Sequence, residues 1–176
     1  MKSLKNIEIK IVKRKDIDLK ILKKWVSWLN DKEVTKFSNQ RFKKHTVMSQ
    51  KKHLIYKLKR KDNLLFKIEY QSIFVGIIEI GNIDFNNKNC ELMYFIGDKK
   101  LWSKGVGTKI IQKAIKYIRK NMNIKKVYAG CSKRNKASIK ILQKNKFEIE
   151  GRIKNFLTIS KQKKIRDDKI FLGLNL

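Results

Sequence analysis

Two of the chain's eight glycines, Gly105 and Gly107, lie in WSKGVGTKII (102–111), where an apolar run with helical spacing begins. The opening of a helix leaves about four backbone N–H groups without intrahelical partners and carries partial positive charge. Such an opening binds anions, phosphates above all. Glycines let the backbone turn tightly and come close to a ligand, and Lys104 adds a charge at the entrance. The spacing excludes two phosphate motifs. A P-loop requires G-x-x-x-x-G-K-S/T, and a dinucleotide fingerprint requires a third glycine at position 110, which is Ile110. A glycine loop that only packs a helix on a sheet fits the same pair.

Other reactive side chains are sparse. Two cysteines, Cys90 and Cys131, are too few for a disulfide framework or a zinc cluster and read as buried thiols. His45 and His53 are too far apart for a metal pair one helical turn apart, so no metal is expected.

The elements that must position the glycine loop follow from periodicity. IEIKIVK (7–13) alternates and predicts a half-buried strand. Residues 17–29 carry Ile17, Ile21, Leu22, Trp25, Trp28 and Leu29 at helical spacing, with Asp16 as the expected N-cap. A loop with a short helix follows, then a helix over 47–60 with Leu54, Ile55 and Leu58 inward. Strands are expected at 64–70, 73–81 and 89–97, the last two joined by a turn through Asn86 and Asn87. The helix after the glycines runs to about Asn121, with Ile110, Ile111, Ala114, Ile115 and Ile118 as its apolar stripe. A strand at 125–131, a short helix capped by Asn135, and closing strands at 147–153 and 169–175 complete the order β-α-α-β-β-β-α-β-α-β-β. That order predicts an α/β layer fold with a mixed sheet.

The 176 residues suit one domain with a sizeable core. No apolar run approaches the ~20 residues that span a bilayer, and the first sixteen residues break every apolar run with a charge, unlike a signal peptide. The expectation is a soluble, cytoplasmic protein with no membrane partner. The net charge of +30 points toward polyanions such as nucleic acid, an anionic membrane or a phosphorylated small molecule. Compositional drift explains it as well, because the lysines are dispersed and Lys, Asn and Ile are abundant together, as an AT-rich genome encodes.

The glycine stretch resembles the central signature of the GCN5-related N-acetyltransferase (GNAT) superfamily, a strand, then Arg/Gln-x-x-Gly-x-Gly/Ala, then a helix. Trp102 takes the Arg/Gln place, as is common in the RimJ/RimL-like branch. NKASIKILQKNKFEIEGR (135–152) resembles that branch's second block, with Lys146 where the pattern has glycine. WVSWLNDKEVTKF (25–37) is a looser third match. The resemblance spans about residues 7–175. It implies one N-acetyltransferase domain over 1–176, in the GNAT fold: a mixed, mostly antiparallel sheet with splayed central strands flanked by helices.

The same resemblance implies acetyl-CoA as acetyl donor, lying between strands 89–97 and 125–131. Backbone groups of Phe95, Ile96 and Gly97 would pair with the pantetheine arm. The N–H groups of Lys104, Gly105, Val106, Gly107 and Thr108 would hold the pyrophosphate, and Asn135 would cap its helix and touch the arm. The chemistry is acyl transfer from a thioester to an amine. An alkyl amine has a pKa of roughly 10 and must lose a proton to attack. The leaving thiolate, with a pKa of roughly 8.5 by analogy with cysteine, needs a proton or a hydrogen bond. Many relatives use a tyrosine for this, at a position that here is Leu142. Ser138 matches a serine that RimL-type enzymes place near the sulfur, so it is the expected thiolate partner. Glu91 is the first expected base and Glu79 the second. Another glutamate of RimL-type enzymes has no counterpart in KNFLTISK (154–161). Asp167 and Asp168 are read as a cationic-acceptor site or a turn.

The acceptor wall is expected within residues 28–56, from Trp28, Asn30, Asp31, Phe37, Gln40, Arg41 and His45. Arg41 with Lys43 and Lys44 would suit a phosphorylated acceptor. The expected acceptor is therefore a primary amine of a small molecule, with a nucleotide-linked amino sugar as the leading example. Protein N-termini of the ribosomal alanine/serine type are the alternative. A basic nucleic-acid-binding module is the rival of another class, but dispersed lysines and core-phase aromatics give no specific nucleic-acid face. An acetyltransferase fold that binds CoA without turnover is a third reading. Dimers are frequent among relatives, so a homodimer is an expectation of the resemblance.

Overall fold

The computed structural model describes residues 6–160, 162 and 164–176. Residues 1–5, part of the opening stretch read above for charge breaks, lie outside the described residues. Seven strands form one sheet in the order β1-β2-β3-β4-β5-β7-β6, with β1 Ile7–Ile11, β2 Leu64–Tyr70, β3 Ile73–Asp84, β4 Asn89–Ile96, β5 Lys126–Ser132, β6 Glu148–Ser160 and β7 Ile165–Asn175. All neighbours pair antiparallel except β4 and β5. The expected mixed α/β architecture is therefore present. Helices α1 Leu19–Leu29 and α2 Val47–Lys59 cover one face, and α3 Val106–Asn121 and α4 Lys136–Lys144 cover the other.

Each face has its own core. Ile110, Ile111, Ala114 and Ile118 of α3 are fully buried against Phe66, Ile78, Ile80 and Leu92 of the sheet. Burying one such side chain stabilises the fold by about 1.5–3 kcal/mol. On the other face Leu22, Trp25, Trp28 and Leu29 of α1, at three- and four-residue spacing, pack on Phe74, Ile77 and Phe95. Of the residues expected inward from α2, Leu54 is buried, Leu58 packs on the same cluster, and Ile55 is half-exposed.

The structure moves one cap. Asp18, not Asp16, opens α1, its carboxylate accepting the Ile21 N–H at 2.7 Å. Asp16 accepts the Lys13 N–H at 2.7 Å and closes the preceding 3-10 turn. Asp18 wins because Ile17 closes the preceding 3-10 turn and the helix starts only at Leu19, so the orphan donors lie just after Asp18. Asn135 caps α4 as expected, accepting the Ser138 N–H at 3.2 Å. Lys146, at the glycine position of the second block, has φ 68° just past the end of α4, in the left-handed region.

The closing strands form a hairpin with longer arms than expected. Asn155, at φ 52°, sits within a register break between Ile153 and Leu157, which hides the period of β6. Asp167 and Asp168 consequently lie inside β7 and are buried rather than in a turn.

Candidate active site

The ladder between β4 and β5 has three rungs, Asn89–Lys126, Cys90–Val127 and Glu91–Tyr128. Beyond them β5 continues to pair with β7 through Ser132, while β4 continues to pair with β3 through Ile96. The two strands therefore part, and β4 presents an unpaired edge beyond Glu91. This is the cleft expected between the fourth and fifth strands. It is a place where an extended ligand can add to an open edge.

Alternation along β4 divides its side chains between the two faces. Cys90, Leu92, Tyr94 and Ile96 join the core under α3 and α4, and Phe95 joins the core under α1 and α2. Glu91 shares the Phe95 face and stands at the apex of the cleft. Its carboxylate accepts Asn82 Nδ2–H at 2.8 Å. Burial and the Glu91 charge push the facing Tyr128 phenol up. Glu79, opposite Met93 on the same face, pairs with Lys57 Nζ at 2.6 Å.

At the wide end of the cleft the chain turns into α3. Gly105 is its N-cap at φ 79°, a conformation that favours glycine, and no side chain caps the helix. The opening amides of Val106, Gly107 and Thr108 are thus left to a ligand or to water. Gly107 is needed for another reason: a β-carbon there would stand 2.5 Å from Ile141 Cδ1 of α4. The two glycines have different tasks, one conformational at the anion-binding turn and one packing helix on helix. Lys104 and Lys109 are exposed and take part in no ion pair among the described residues. Trp102 donates its indole N–H to Ile96 C=O at 2.8 Å, tying the loop to the end of β4. Gly97 already donates its N–H to Val75 C=O at 2.9 Å, which leaves only its carbonyl for a ligand.

On the α4 side, Ser138 Oγ lies 3.1 Å from Tyr94 Oη. Burial pushes the Tyr94 phenol up to about 12, with the Ser138 hydrogen bond acting the other way. Burial also raises the Cys131 thiol, and the Ser138 hydroxyl pulls it back. Sequence reasoning missed Tyr94, although strand alternation with Leu92 and Ile96 places it on this face. Leu142, at the family's tyrosine position, is fully buried and offers no donor.

Of the residues expected to form an acceptor wall, Trp28 is enclosed and the others are at least partly exposed. Trp28 belongs to the core: it is buried, its ring centroid lies 5.0 Å from that of Phe74, and it fills the space beside Gly97. Asn30 clamps the loop, its amide exchanging two hydrogen bonds of 2.9 Å with the His45 backbone. His45 Nε2 lies 3.3 Å from Gln40 C=O. Phe37 is half-buried, with Lys36 Nζ 5.5 Å from its centroid. Asp31 is held by Lys99 at 2.9 Å. Arg41 donates to Ser38 C=O and to Thr158 C=O of β6, and its Nε is buried without a partner. That contact brings the 28–56 segment to the β6–β7 hairpin.

The hairpin adds a basic lining that was not anticipated. Lys169 Nζ lies 4.5 Å and 5.3 Å from the ring centroids of Phe171 and Phe156, beside Gly130. A cavity of about 330 Å³ at the end of β5 is lined by Lys133, Arg134, Lys136 and Arg166, with Asp167 and Asp168. Both acids are engaged. Arg152 Nε and the Asn155 N–H hold Asp168, and Ser132 and the Arg134 N–H hold Asp167. Among the described residues no group of three or more His, Cys, Asp or Glu could hold a metal, and no helix is long and apolar enough to cross a membrane.

Comparison with known proteins agrees with this geometry. Residues 14–148 match the family model described as acetyltransferase (GNAT) domain. A protein of Bacillus licheniformis described as uncharacterized N-acetyltransferase p20 is 26% identical over 133 residues, covering 72% of this chain and 73% of that protein. Spermidine N-acetyltransferase from Vibrio cholerae, solved with CoA and spermine, superposes with a TM-score of 0.82 at 16% identity, over 97% of this chain and 95% of that one. An acetyltransferase from Salmonella typhimurium that modifies the N-terminal serine of a ribosomal protein superposes at 0.81 with 15% identity, over 98% and 96% of the two chains. The microcin C7 self-immunity acetyltransferase MccE, solved with acetyl-CoA and AMP, superposes at 0.78 with 18% identity, over 96% and 93%.

Proposed function

The chain belongs to the acetyltransferase (GNAT) family, and we propose that this acetyl-CoA-dependent N-acetyltransferase acts on a primary amine of a small molecule that also carries negative charge. A nucleotide-linked amino sugar is the leading example. The single observation that carries the reading is the cleft beyond the Glu91–Tyr128 rung, with a carboxylate on one face and the Ser138 hydroxyl on the other.

Acetyl-CoA supplies an activated acetyl group whose carbonyl the amine attacks. The uncapped amides of α3 and Lys104 take the pyrophosphate, and the open edge of β4 at Phe95 and Ile96 takes the pantetheine arm. Glu91, directly or through water, accepts the proton that the amine must lose. Ser138 donates to the sulfur as the C–S bond breaks. Glu79 serves as a structural partner of Lys57 in this scheme. The second sequence block supports placement in the RimJ/RimL-like branch, and a cytoplasmic location and a single domain belong to the same reading.

Charge around the acceptor side supports an anionic acceptor. Glu79, Asp31, Glu33, Asp167 and Asp168 all have cationic partners, whereas Glu91 takes part in no ion pair among the described residues. A polyamine would meet Arg41, Arg166 and Lys169 with few carboxylates to receive it, and like charges at short range repel. A phosphate would find these cations unneutralised by acids.

Release of CoA thiol, followed over a panel of amines, tests the proposal. Turnover with amino sugars joined to nucleotides, exceeding that with spermidine or a Ser-Ala peptide, is the expected result. Preference for the peptide would establish the protein N-terminal alternative. CoA binding without thiol release for any amine would leave only the binding fold.

A further inference from the structure

We propose that Tyr94 is a positioning residue for the leaving sulfur: its phenol donates to Ser138 Oγ and turns the Ser138 hydroxyl proton into the cleft. The inference rests on the acetyltransferase reading and extends it to a residue on the sheet rather than on α4. Tyr94 lies three residues beyond the last β4–β5 rung, on the face that α4 covers. Ser138 is fixed from the other side, because Asn135 caps its N–H. Among the described residues Ser138 is the one hydrogen-bond partner of the Tyr94 hydroxyl.

Two hydroxyls 3.1 Å apart can share only one proton between them. If Ser138 donated to Tyr94, the Ser138 proton would be spent and the cleft would receive only lone pairs. The phenol is the stronger acid, so the favoured order is Tyr94 to Ser138. Its burial keeps it protonated, and hence a donor, throughout the neutral range. The Ser138 proton is then free for a third group, and in the resting protein the same hydroxyl pulls the Cys131 thiol down against its burial. The sulfur of CoA, entering beside Cys131, would take the same donor with a full negative charge, and hydrogen bonds to charged groups are about twice as strong as neutral ones.

In the transfer step the amine nitrogen forms a bond to the acetyl carbon, and the C–S bond breaks with its electron pair on sulfur. The amine proton leaves through Glu91 or water. The thiolate accepts the Ser138 O–H, which the Tyr94 O–H polarises. No proton need leave Tyr94.

A test that needs no acceptor uses the purified chain, CoA and the ultraviolet absorbance of the thiolate across pH. Bound CoA should ionise at lower pH than free CoA, and Tyr94→Phe should reduce its thiolate fraction at a given pH by about tenfold. Ser138→Ala should do the same, and the double variant should add little more. Affinity for desulfo-CoA should be equal in all four proteins. Replacing Tyr94 by 3-fluorotyrosine, which keeps the shape but sharpens the donor, should raise the thiolate fraction even if Tyr94→Phe folds poorly. Unchanged ionisation in both Tyr94 variants, or independent multiplying effects of Tyr94→Phe and Ser138→Ala, would overturn the inference while leaving the acetyltransferase reading intact. Absence of CoA binding by the unaltered chain would overturn both.

Discussion

Ile141 of α4 occupies the space that a β-carbon on Gly107 of α3 would need, with Cδ1 2.5 Å from that position. Replacing Gly107 by alanine should therefore destabilise by overpacking, about 1–3 kcal/mol, set against a gain of about 1 kcal/mol in helix propensity. Ile141→Val removes the clashing methyl. The double variant should recover most of the lost melting temperature, whereas Gly105→Ala should not respond to Ile141→Val. The Gly105 cost of about 1–2 kcal/mol is conformational, because that residue stands at φ 79°. Melting curves of the three single and two double variants check this separation.

Glu91 and Glu79 face the same side of the sheet but differ in partner. Glu91→Gln keeps an acceptor for Asn82, so the fold should hold while turnover falls by about 100-fold or more through loss of the base. Glu79→Gln leaves the partly buried Lys57 without its carboxylate. It should lower the melting temperature with turnover within about twofold, a split outside what exposed pairs show. Steady-state kinetics beside calorimetric melting distinguish the two. Equal losses of turnover would make Glu79 part of the chemistry.

Lys146 occupies a left-handed position just past the end of α4, at φ 68°. Glycine is the usual residue at such a position because it has no β-carbon to crowd. Lys146→Gly should raise stability by up to about 1 kcal/mol, the lower cost in the folded chain outweighing the greater freedom of the unfolded one. A lower melting temperature would show that the lysine's own contacts matter more.

Much of this was legible in the sequence, for identifiable physical reasons. The isoleucine stripe of α3 and the alternation of β1 marked those elements in the sequence, because each carries its apolar residues at one period. The splayed cleft came from the resemblance, since nothing local in NCELMYFIG (89–97) marks where pairing with β5 ends. The Tyr94–Ser138 contact links residues 44 apart and depends on tertiary placement. Trp28 shows the opposite error: an aromatic near the expected acceptor wall satisfies the core instead. Asp167 and Asp168, read as a cationic-acceptor site or a turn, stand inside β7 with their charges paired to Arg134, Arg152 and Lys133, distant in sequence.

Cys90 and Cys131 should differ toward a thiol reagent. Burial pushes the Cys90 thiol up to about 12, and it is fully enclosed in the core, so it should react only on unfolding. Cys131 is half-exposed on the strand that borders the cleft, within the influence of Ser138. It should be alkylated slowly in the native chain, and CoA should slow it further by about tenfold or more when present well above its Kd. Peptide mapping after maleimide treatment, with and without CoA, reads both rates. An unchanged Cys131 rate in the presence of CoA would place the arm of CoA elsewhere.

Asp168 links the hairpin that carries the basic lining to acid stability. The Asn155 N–H at 2.9 Å, and then the Arg152 guanidinium and Lys133, hold its carboxyl below the ordinary carboxylate range. A carboxyl depressed in the folded chain contributes stability above its unfolded value, about 3.9, and loses it as pH falls through the folded value. Asp168→Asn should therefore melt below the unaltered chain at pH 7, and the gap should narrow steadily below about pH 4. Arg152→Ala, which leaves the Asn155 contact, should show a smaller gap closing over the same range. A difference that stayed constant from pH 7 to the acid limit would mean that shape at this site, rather than charge, holds β6 against β7.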